Sequence, residues 1–313
     1  MQLFTAPCYR LPVRVLILGC GYVGLALARR LAAAGHEVFG LRRTLDGAEE
    51  LRAAGVQPLR GDVTEPASLR ALPGVFDWVA NTVSSAKGDA DIYRRVYLEG
   101  TLQILKWLRE QPCRRYVYTS STSVYGQTDG SVVTEDSPTD PGSETAQILV
   151  ETERQLLTAQ PALGFPDGVF RVAGIYGPGR GRLYQQYLRG EARLTGNGLR
   201  LINMVHRDDL AAALAAFFEV PNLPTGARAY NVVDDEAVTQ LDFFRWLSRR
   251  LNGPLPPFAT AAENATRKRG LTQKRVSNHR LRTELGWVPK FPTYQEGYEA
   301  LIREQRAASK EFG

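Results

Sequence analysis

The sequence is poor in the residues that would mark a secreted, metal-binding or membrane protein. It has three cysteines and three histidines in 313 residues, and Cys8, Cys20 and Cys113 share no metal-ligand spacing. An odd, sparse set of cysteines suits a reducing compartment, so we expect a cytoplasmic protein without a metal site. No apolar run approaches the ~18 residues of a membrane span. The short apolar run before Cys20 is also well below the ~7–15 residues of a signal-peptide core.

The sequence also has no excess of acidic residues. Lys and Arg number 39 against 33 Asp and Glu, which gives a net charge of +6. A basic surface suits an anionic ligand, and a dinucleotide phosphate is enough to explain it. Because no basic–aromatic array or helix-turn-helix pattern occurs, we expect no nucleic-acid partner and no membrane partner.

What the sequence does contain is a glycine-rich turn between a strand and a helix. An apolar strand is predicted over Val13–Leu18 and a helix over Tyr22–Ala34, with G-x-G-x-x-G between them. The first glycine permits the tight turn, the second lets the backbone approach a pyrophosphate, and the third lets helix and strand pack closely. The free N–H groups at the helix start then face the diphosphate. The residues of this predicted dinucleotide site are Gly19, Gly21, Tyr22, Val23 and Gly24.

Strands and helices alternate through the first half of the chain. Further strands are predicted over 37–41, 56–59, 76–80, 115–119 and 169–172, and a long helix over 89–110. This alternation predicts an α/β protein with a Rossmann-type doubly wound parallel sheet. We assign 13–177 to the dinucleotide-binding domain, which regains a strand near 228–233, and 178–313 mainly to a smaller C-terminal substrate lobe. Residues 1–12 have no evident role.

Five short motifs follow one another along the chain. They are YTSSTSVYG at 118–126, IYGPG at 175–179, VHRDDLA at 205–211, YNV at 230–232 and ELGWVP at 284–289. In this order they resemble the extended short-chain dehydrogenases/reductases, the epimerase/dehydratase group of NAD(P)-dependent enzymes. The resemblance covers nearly the whole chain from Val13 on. It implies a Rossmann domain, a small C-terminal lobe and a substrate bound between them.

The resemblance also implies roles for individual residues. Asp62 and Val63 would contact the adenine, and Ser121 would hydrogen-bond the substrate. For Asp62 the alternative is a carboxylate that only stabilises a turn. The residues that would line the cofactor at the ends of the fourth and fifth strands are Asn81, Thr82, Val83, Thr119 and Ser120.

The end of the second strand lacks the acidic residue of an NAD-specific site. That carboxylate, roughly 20 residues past the glycines, hydrogen-bonds the ribose hydroxyls. Here the position is Arg42, followed by Arg43. A guanidinium can bind a 2′-phosphate bidentately and cannot accept from a 2′-hydroxyl. The sequence therefore predicts NADP rather than NAD.

The Tyr-x-x-x-Lys pair of the family is also missing. In the family the tyrosine phenol gives or takes a proton, and the lysine one turn later lowers the phenol pKa and holds the ribose. Aligning on Glu153 puts Thr145 at the tyrosine position and Leu149 at the lysine position. In the whole sequence, none of the 13 tyrosines has a lysine four residues later. The family's asparagine on the long helix is Tyr97 here. The chain thus resembles the atypical branch of the superfamily, whose active site has diverged.

Other groups would then have to move the proton. Tyr125 and His206 are the leading candidates, and Tyr97 and Tyr176 are further phenols. For each tyrosine the alternative is aromatic packing around the cleft. For His206 the alternative is a purely structural role.

Arginines in the second half could bind an anionic substrate. Arg180 and Arg182 lie in and after a glycine-rich loop and could hold a phosphate or carboxylate. The basic run over 267–275 could do the same, although such runs are most often solvated faces.

Two functional hypotheses follow. The first is an NADP-dependent epimerase, dehydratase or reductase with altered catalytic groups, acting on a small or nucleotide-linked, anionic metabolite. The second is a non-catalytic NADP-binding regulator or scaffold. The substrate lobe, Ser121 and the Arg180 loop favour the first, and the missing pair favours the second. A homodimer is left open in either case.

Overall fold

A seven-stranded parallel sheet forms the centre of the molecule. The computed structural model describes residues 12–85, 89–164, 167–223, 226–265 and 272–311. The sheet order is β11-β7-β5-β4-β1-β2-β3, and every neighbouring pair is parallel. The predicted Rossmann-type doubly wound sheet is therefore confirmed. The strands are β1 Arg14–Leu18, β2 Glu37–Arg42, β3 Val56–Arg60, β4 Trp78–Asn81, β5 Arg115–Ser121, β6 Val132–Val133, β7 Asp167–Val172, β8 Gly174–Tyr176, β9 Leu201–Ile202, β10 Met204–His206, β11 Arg228–Val232, β12 Val238–Thr239 and β13 Arg275–Val276.

Helices cover both faces of the sheet. They are α1 Tyr22–Ala33, α2 Ala48–Ala53, α3 Pro66–Arg70, α4 Ala90–Tyr93, α5 Gly100–Glu110, α6 Glu144–Leu163, α7 Arg182–Leu188, α8 Arg207–Glu219, α9 Gln240–Leu251, α10 Ala261–Ala265, α11 His279–Leu285 and α12 Tyr294–Glu311. None of the helices in the described ranges combines the length and the apolar character needed to cross a bilayer.

The apolar run of β1 is explained by burial on both faces. Successive side chains of a strand point to opposite faces of the sheet. Val15 and Ile17 accordingly pack with apolar side chains of α1 and α8, whereas Leu16 and Leu18 pack with those of α3 and α5. A strand covered on both sides has no polar face, which is why its sequence shows no alternation.

A third apolar cluster lies outside the sheet. It joins side chains of α7, α9 and α12, among them Tyr184, Phe243 and Tyr298. These three helices lie within 178–313, the range assigned mainly to a C-terminal lobe, with a strand near 228–233 expected in the main sheet. Helix α8 packs on α1, and β11 is the edge strand of the main sheet next to β7.

The predicted long helix over 89–110 is not a regular α-helix. Between α4 and α5, residues Arg94–Glu99 form a π-helical segment, which packs against α6. π-helical turns are rare and frequently occur at functional sites. The 3.6-residue periodicity of the sequence predicts a regular helix here and does not indicate the wider π-helical turn.

A buried carboxyl group lies just after β11. Asp234 is 3% exposed, and its Oδ2 atom has no hydrogen-bond partner within the described residues. Its Oδ1 atom accepts from the backbone N–H of Glu236 at 3.4 Å. Burial raises the pKa of the Asp234 carboxyl well above its usual range, and the nearby carboxylates Glu236, Asp235 and Asp209 act in the same direction.

We expect Asp234→Asn to raise the free energy of unfolding near pH 8 by about 1–3 kcal/mol, because the amide stays neutral when buried whereas the carboxyl must keep or regain a proton. A carboxyl with a raised folded-state pKa binds its proton more tightly in the folded than in the unfolded state. The wild-type protein therefore loses stability as the pH rises from the pKa of the unfolded state towards that of the folded state. Near pH 4 the free energies of unfolding of the variant and the wild type should differ little. Thermal denaturation across this range tests the prediction. A variant that is less stable than the wild type near pH 8 contradicts it.

Candidate cofactor and substrate cleft

The glycine-rich turn forms the floor of a cleft at the carboxyl edge of the sheet. Gly19 has a φ of +76°, in the left-handed region that favours glycine, and a Cβ there would lie 2.6 Å from the Val83 Cα. A Cβ on Gly24 would lie 2.8 Å from the Gly19 carbonyl oxygen, whereas one on Gly21 would meet only that oxygen, at 3.9 Å. The first and third glycines thus serve the turn and its packing. The second leaves open the space that a diphosphate would use.

The cleft is a single cavity of about 1140 Å³. It runs along the strand ends across the point where the sheet order reverses, between β1 and β4, and such switch points bind dinucleotides in open α/β sheets. One end of the cleft lies at Arg42 and Asp62, and the other at Ser121 and Ala173. Most of the predicted cofactor residues line it: Gly19, Gly21, Tyr22, Val23, Arg42, Arg43, Asp62, Val63, Thr82, Val83, Thr119 and Ser120.

Asn81 is buried beside the cleft and is 3% exposed. Its side-chain oxygen accepts from the Val83 backbone N–H at 3.2 Å, and its nitrogen donates to the Tyr116 hydroxyl. Asn81 therefore holds the segment after β4 in place, and Thr82 and Val83 of that segment line the cleft.

The Asp62 carboxylate makes contacts that stabilise a turn, as the alternative to cofactor binding predicts. Its Oδ1 atom accepts from the backbone N–H of Thr64 at 2.9 Å and from the Thr64 hydroxyl at 2.8 Å. Asp62 still lines the cleft, next to Val63. The two interpretations of Asp62 are thus compatible.

The two arginines after β2 differ in how firmly they are held. The Arg42 Nε atom donates to the Cys20 carbonyl at 2.5 Å, and Nη2 lies 3.5 Å from a Glu50 carboxylate oxygen. Arg43 is exposed at the rim of the same cleft. Arg42 thus ties β2 to the glycine-rich turn, and Arg43 is the less constrained cation.

The far end of the cleft holds Ser121 and Leu149. The Ser121 hydroxyl accepts from the Ser123 backbone N–H at 3.1 Å and caps the short 3-10 turn Thr122–Val124. Leu149, at the predicted lysine position, lines the cleft and is 4% exposed. Thr145, one turn earlier on α6, is half-buried.

Tyr125 is placed in a buried polar network. It is 0% exposed, its hydroxyl donates to the Asn231 side-chain oxygen at 2.8 Å, and it accepts from Arg171 Nη1 at 2.8 Å. Arg171 in turn forms two hydrogen bonds with the Glu153 carboxylate, at 2.8 and 3.0 Å. The Tyr125 phenol therefore has partners on both sides and does not face the cleft, which runs against its expected role as proton donor.

His206 is likewise buried, at 2% exposure. Its Nδ1 atom accepts from the Asp208 backbone N–H at 3.2 Å and caps α8, and its ring packs against Tyr176 and Phe291. Burial lowers the pKa of His206 to about 4, so the ring is neutral near pH 7. These contacts match the structural alternative. The described residues contain no cluster of three or more His, Cys, Asp or Glu side chains that could hold a metal.

Basic side chains approach the cleft from the second half of the chain. The guanidinium groups of Arg180 and Arg207 lie over the Tyr22 ring, 4.8 and 5.0 Å from its centroid, and Arg180 lines the cleft. Of the basic run over 267–275, residues 267–271 lie outside the described ranges. Lys274 is 5% exposed and donates to the Tyr125 carbonyl at 2.7 Å, and burial lowers its pKa to about 8. Lys274 is therefore not part of a solvated face.

Several residues of the cleft wall carry no recognisable motif, among them Ser84, Ser85, Tyr93 and Arg95. The π-helical segment and the turn before it place Tyr93, Arg95 and Tyr97 along the cleft, and the rings of the two tyrosines lie 4.8 Å apart. The sequence points only to Tyr97 among these residues, because Tyr97 stands where the family has an asparagine. Tyr93 and Arg95 have no sequence signal beyond their position on a helix that follows a central strand.

Comparisons with known proteins agree with this geometry. The chain is 27% identical over 286 residues to Protein YeeZ of Escherichia coli, covering 89% of this chain and 96% of that one. It is 28% identical over 279 residues to 2-alkyl-3-oxoalkanoate reductase of Stenotrophomonas maltophilia, covering 85% and 84%. A solved structure from Methylobacillus flagellatus, named as a candidate NAD-dependent epimerase/dehydratase, superposes with a TM-score of 0.74 at 33% identity, covering 94% and 99%. The family model for the NAD dependent epimerase/dehydratase family matches residues 15–232, and the chain belongs to that family.

Proposed function

We propose that the protein is an NADP-dependent oxidoreductase that acts on a small anionic carbonyl or hydroxyl compound. The observation that carries this proposal is the continuity of the cleft. A single cavity joins Arg42, Arg43 and Asp62 at one end to Ser121 and Leu149 at the other, and Arg180 lines it over the Tyr22 ring. The second end, beyond the glycine-rich turn, is where the nicotinamide half of a dinucleotide and a substrate beside it would lie.

The chain's own residues suit a dinucleotide along this path. Arg42 and Arg43 would bind a 2′-phosphate, the α1 N-terminus above Gly21 would face the diphosphate, and Ser121 would orient the substrate oxygen. When bound, the nicotinamide supplies or accepts a hydride. Helix α6 offers no ionisable group at its two predicted positions, Thr145 and Leu149, so proton transfer has to come from elsewhere in the cleft.

The substrate class is proposed from charge and from one relative. Arg180 brings a guanidinium to the wall of the cleft over the Tyr22 ring, and a guanidinium can pair with a substrate carboxylate. The Stenotrophomonas maltophilia relative is named for a 2-alkyl-3-oxoalkanoate, which carries a ketone and a carboxylate. We therefore propose 3-oxo acids as the first compounds to test.

The test is NADPH oxidation with 2-methyl-3-oxobutanoate, its neutral ethyl ester as comparison, and NADH in place of NADPH. Turnover of the acid above that of the ester supports the proposal. The competing hypothesis is a regulator or scaffold, which Leu149 at the predicted lysine position favours. Tight NADPH binding without turnover of the acid, the ester or a UDP-sugar would favour that hypothesis instead.

We expect Arg43→Ala to weaken NADPH binding about 10-fold or more, because hydrogen bonds to charged groups contribute about 1.5–3 kcal/mol. NADH binding should be nearly unchanged, since NADH has no 2′-phosphate. Arg42→Ala should weaken both cofactors, because Arg42 also holds the Cys20 carbonyl of the turn. Calorimetric titration with both cofactors measures this, with Arg70→Ala, an exposed arginine at the end of α3, as the control. Unchanged NADPH affinity in Arg43→Ala would contradict the assignment.

A further inference from the structure

We propose that Tyr97, on the π-helical segment, donates the proton to the substrate oxygen in this cleft. The inference rests on the proposed function, and it assigns the proton donor that helix α6 lacks. Tyr97 lines the cleft together with Ser121, Ser123 and Leu149. Its ring also packs against the apolar cluster that contains Leu149. The phenol is thus at the substrate end, beside the positions where the family's pair is missing.

The π-helical segment and the end of β4 together fix the direction of the Tyr97 phenol. The backbone N–H of Ser85 donates to the Tyr97 oxygen at 3.2 Å. Because the oxygen accepts this bond, its own proton remains available for a second partner. Ser85 lines the same cleft, so that partner can be a bound ligand.

The electrostatics suit a proton donor. Burial raises the pKa of the Tyr97 phenol, and hydrogen bonding to Ser85 partly opposes that shift. The phenol therefore keeps its proton at neutral pH, and the Ser85 N–H stabilises the phenolate that forms after transfer. The titratable groups that face Tyr97 are Tyr93 on the preceding turn and Tyr118 on β5, and burial raises the pKa of the Tyr118 phenol.

Three other phenols near the cleft have different surroundings. Tyr125 is held by Asn231 and Arg171, and the Tyr176 ring stacks on Tyr298 at 4.4 Å. Tyr22 lies beside the glycine-rich turn under two guanidinium groups, where the diphosphate would pass.

The proposed step balances as follows. The Tyr97 Oη–H bond breaks and its proton forms the new O–H bond on the carbonyl oxygen. The carbonyl carbon receives the hydride, with both electrons, that the reduced nicotinamide supplies. The phenolate then regains a proton from solvent, and the products are the alcohol and oxidised cofactor. Oxidation of the alcohol is the same step in reverse.

The first test does not depend on the substrate. The protein is labelled with [ζ-¹³C]tyrosine, and the Tyr97 signal is assigned by its loss in Tyr97→Phe. We expect the pKa of Tyr97 to be lower with NADP⁺ bound than with NADPH bound, because the oxidised nicotinamide is positively charged and would lie close to the phenol. The Tyr187 signal, from the C-terminal lobe, should not differ. Identical titration of Tyr97 with both cofactors overturns the inference.

The second test is turnover. Tyr97→Phe should lower kcat for 2-methyl-3-oxobutanoate about 100-fold, the usual scale of general acid catalysis, with the Kd for NADPH unchanged. Tyr187→Phe, which loses a hydrogen bond to Ser248 far from the cleft, should keep wild-type kcat. A fully active Tyr97→Phe overturns the inference and leaves the proposed function standing. Absence of NADPH binding in the wild type overturns both.

Discussion

Replacing Arg171 with methionine should lower the free energy of unfolding by about 3–5 kcal/mol, the cost of leaving one charge of a buried pair without its partner. The side chains of Arg171 and Glu153 are 6% and 3% exposed, and Arg171 also donates to the Tyr125 hydroxyl and the Glu135 carbonyl. Without the guanidinium, the Glu153 carboxylate would keep its hydrogen bond from Ser120, at 2.5 Å, but no opposite charge.

Urea denaturation of three variants separates the charge effect from simple loss of packing. Arg171→Met combined with Glu153→Leu removes both charges and should recover much of the lost stability, since apolar replacements of buried pairs are often neutral. Arg189→Met breaks a surface pair whose side chains are 54% and 57% exposed, and should change stability by about 0–1 kcal/mol. An Arg171→Met variant as stable as Arg189→Met would show that the buried pair is not important for the fold.

The largest expected effect on ligand binding comes from Gly21→Val. A Cβ at Gly21 meets no atom closer than the Gly19 oxygen at 3.9 Å, so the chain should fold. The added methyl groups would occupy the space in which we place the diphosphate, at the start of α1. We expect the Kd for NADPH to rise about 1000-fold or more, equivalent to about 4 kcal/mol.

The matched control is Gly142→Val. Gly142 lies in an exposed loop, and a Cβ there would meet nothing within 4 Å. Calorimetry should give wild-type affinity for this control, and thermal denaturation should show that both variants are folded. NADPH affinity retained in Gly21→Val would remove the basis for placing the cofactor at this turn.

The sheet and the glycine-rich turn could be predicted because their signals are local. A strand that is buried on both faces is a continuous apolar run, and β1 has such a run directly before Gly19. The turn needs glycine at fixed spacing, and Gly19 and Gly24 leave no space for a side chain. Arg42 could be located by counting from the turn, because a βαβ unit has a nearly fixed length.

The polar interior could not be predicted, because its partners are far apart in the chain. Tyr125 bonds to Asn231, 106 residues away, and Lys274 to the Tyr125 carbonyl, 149 residues away. No local pattern distinguishes such a tyrosine from one that faces a cleft, so the sequence favours Tyr125 over Tyr97. The π-helical segment that presents Tyr97 has the same apolar spacing as an ordinary helix, and its hydrogen-bond shift has no sequence signature.

The order of the sheet strands also bears on how the chain folds as it is made. Strand β11 pairs with β7, yet α7 and α8 are synthesised between them. Until the ribosome has released β11, the edge of β7 has no neighbour on that side, and Arg171 on β7 is without Asn231, the residue opposite it on β11. Unpaired strand edges promote aggregation. A nascent chain stalled after α7 should therefore be recognised by chaperones, and one stalled after α11 should not.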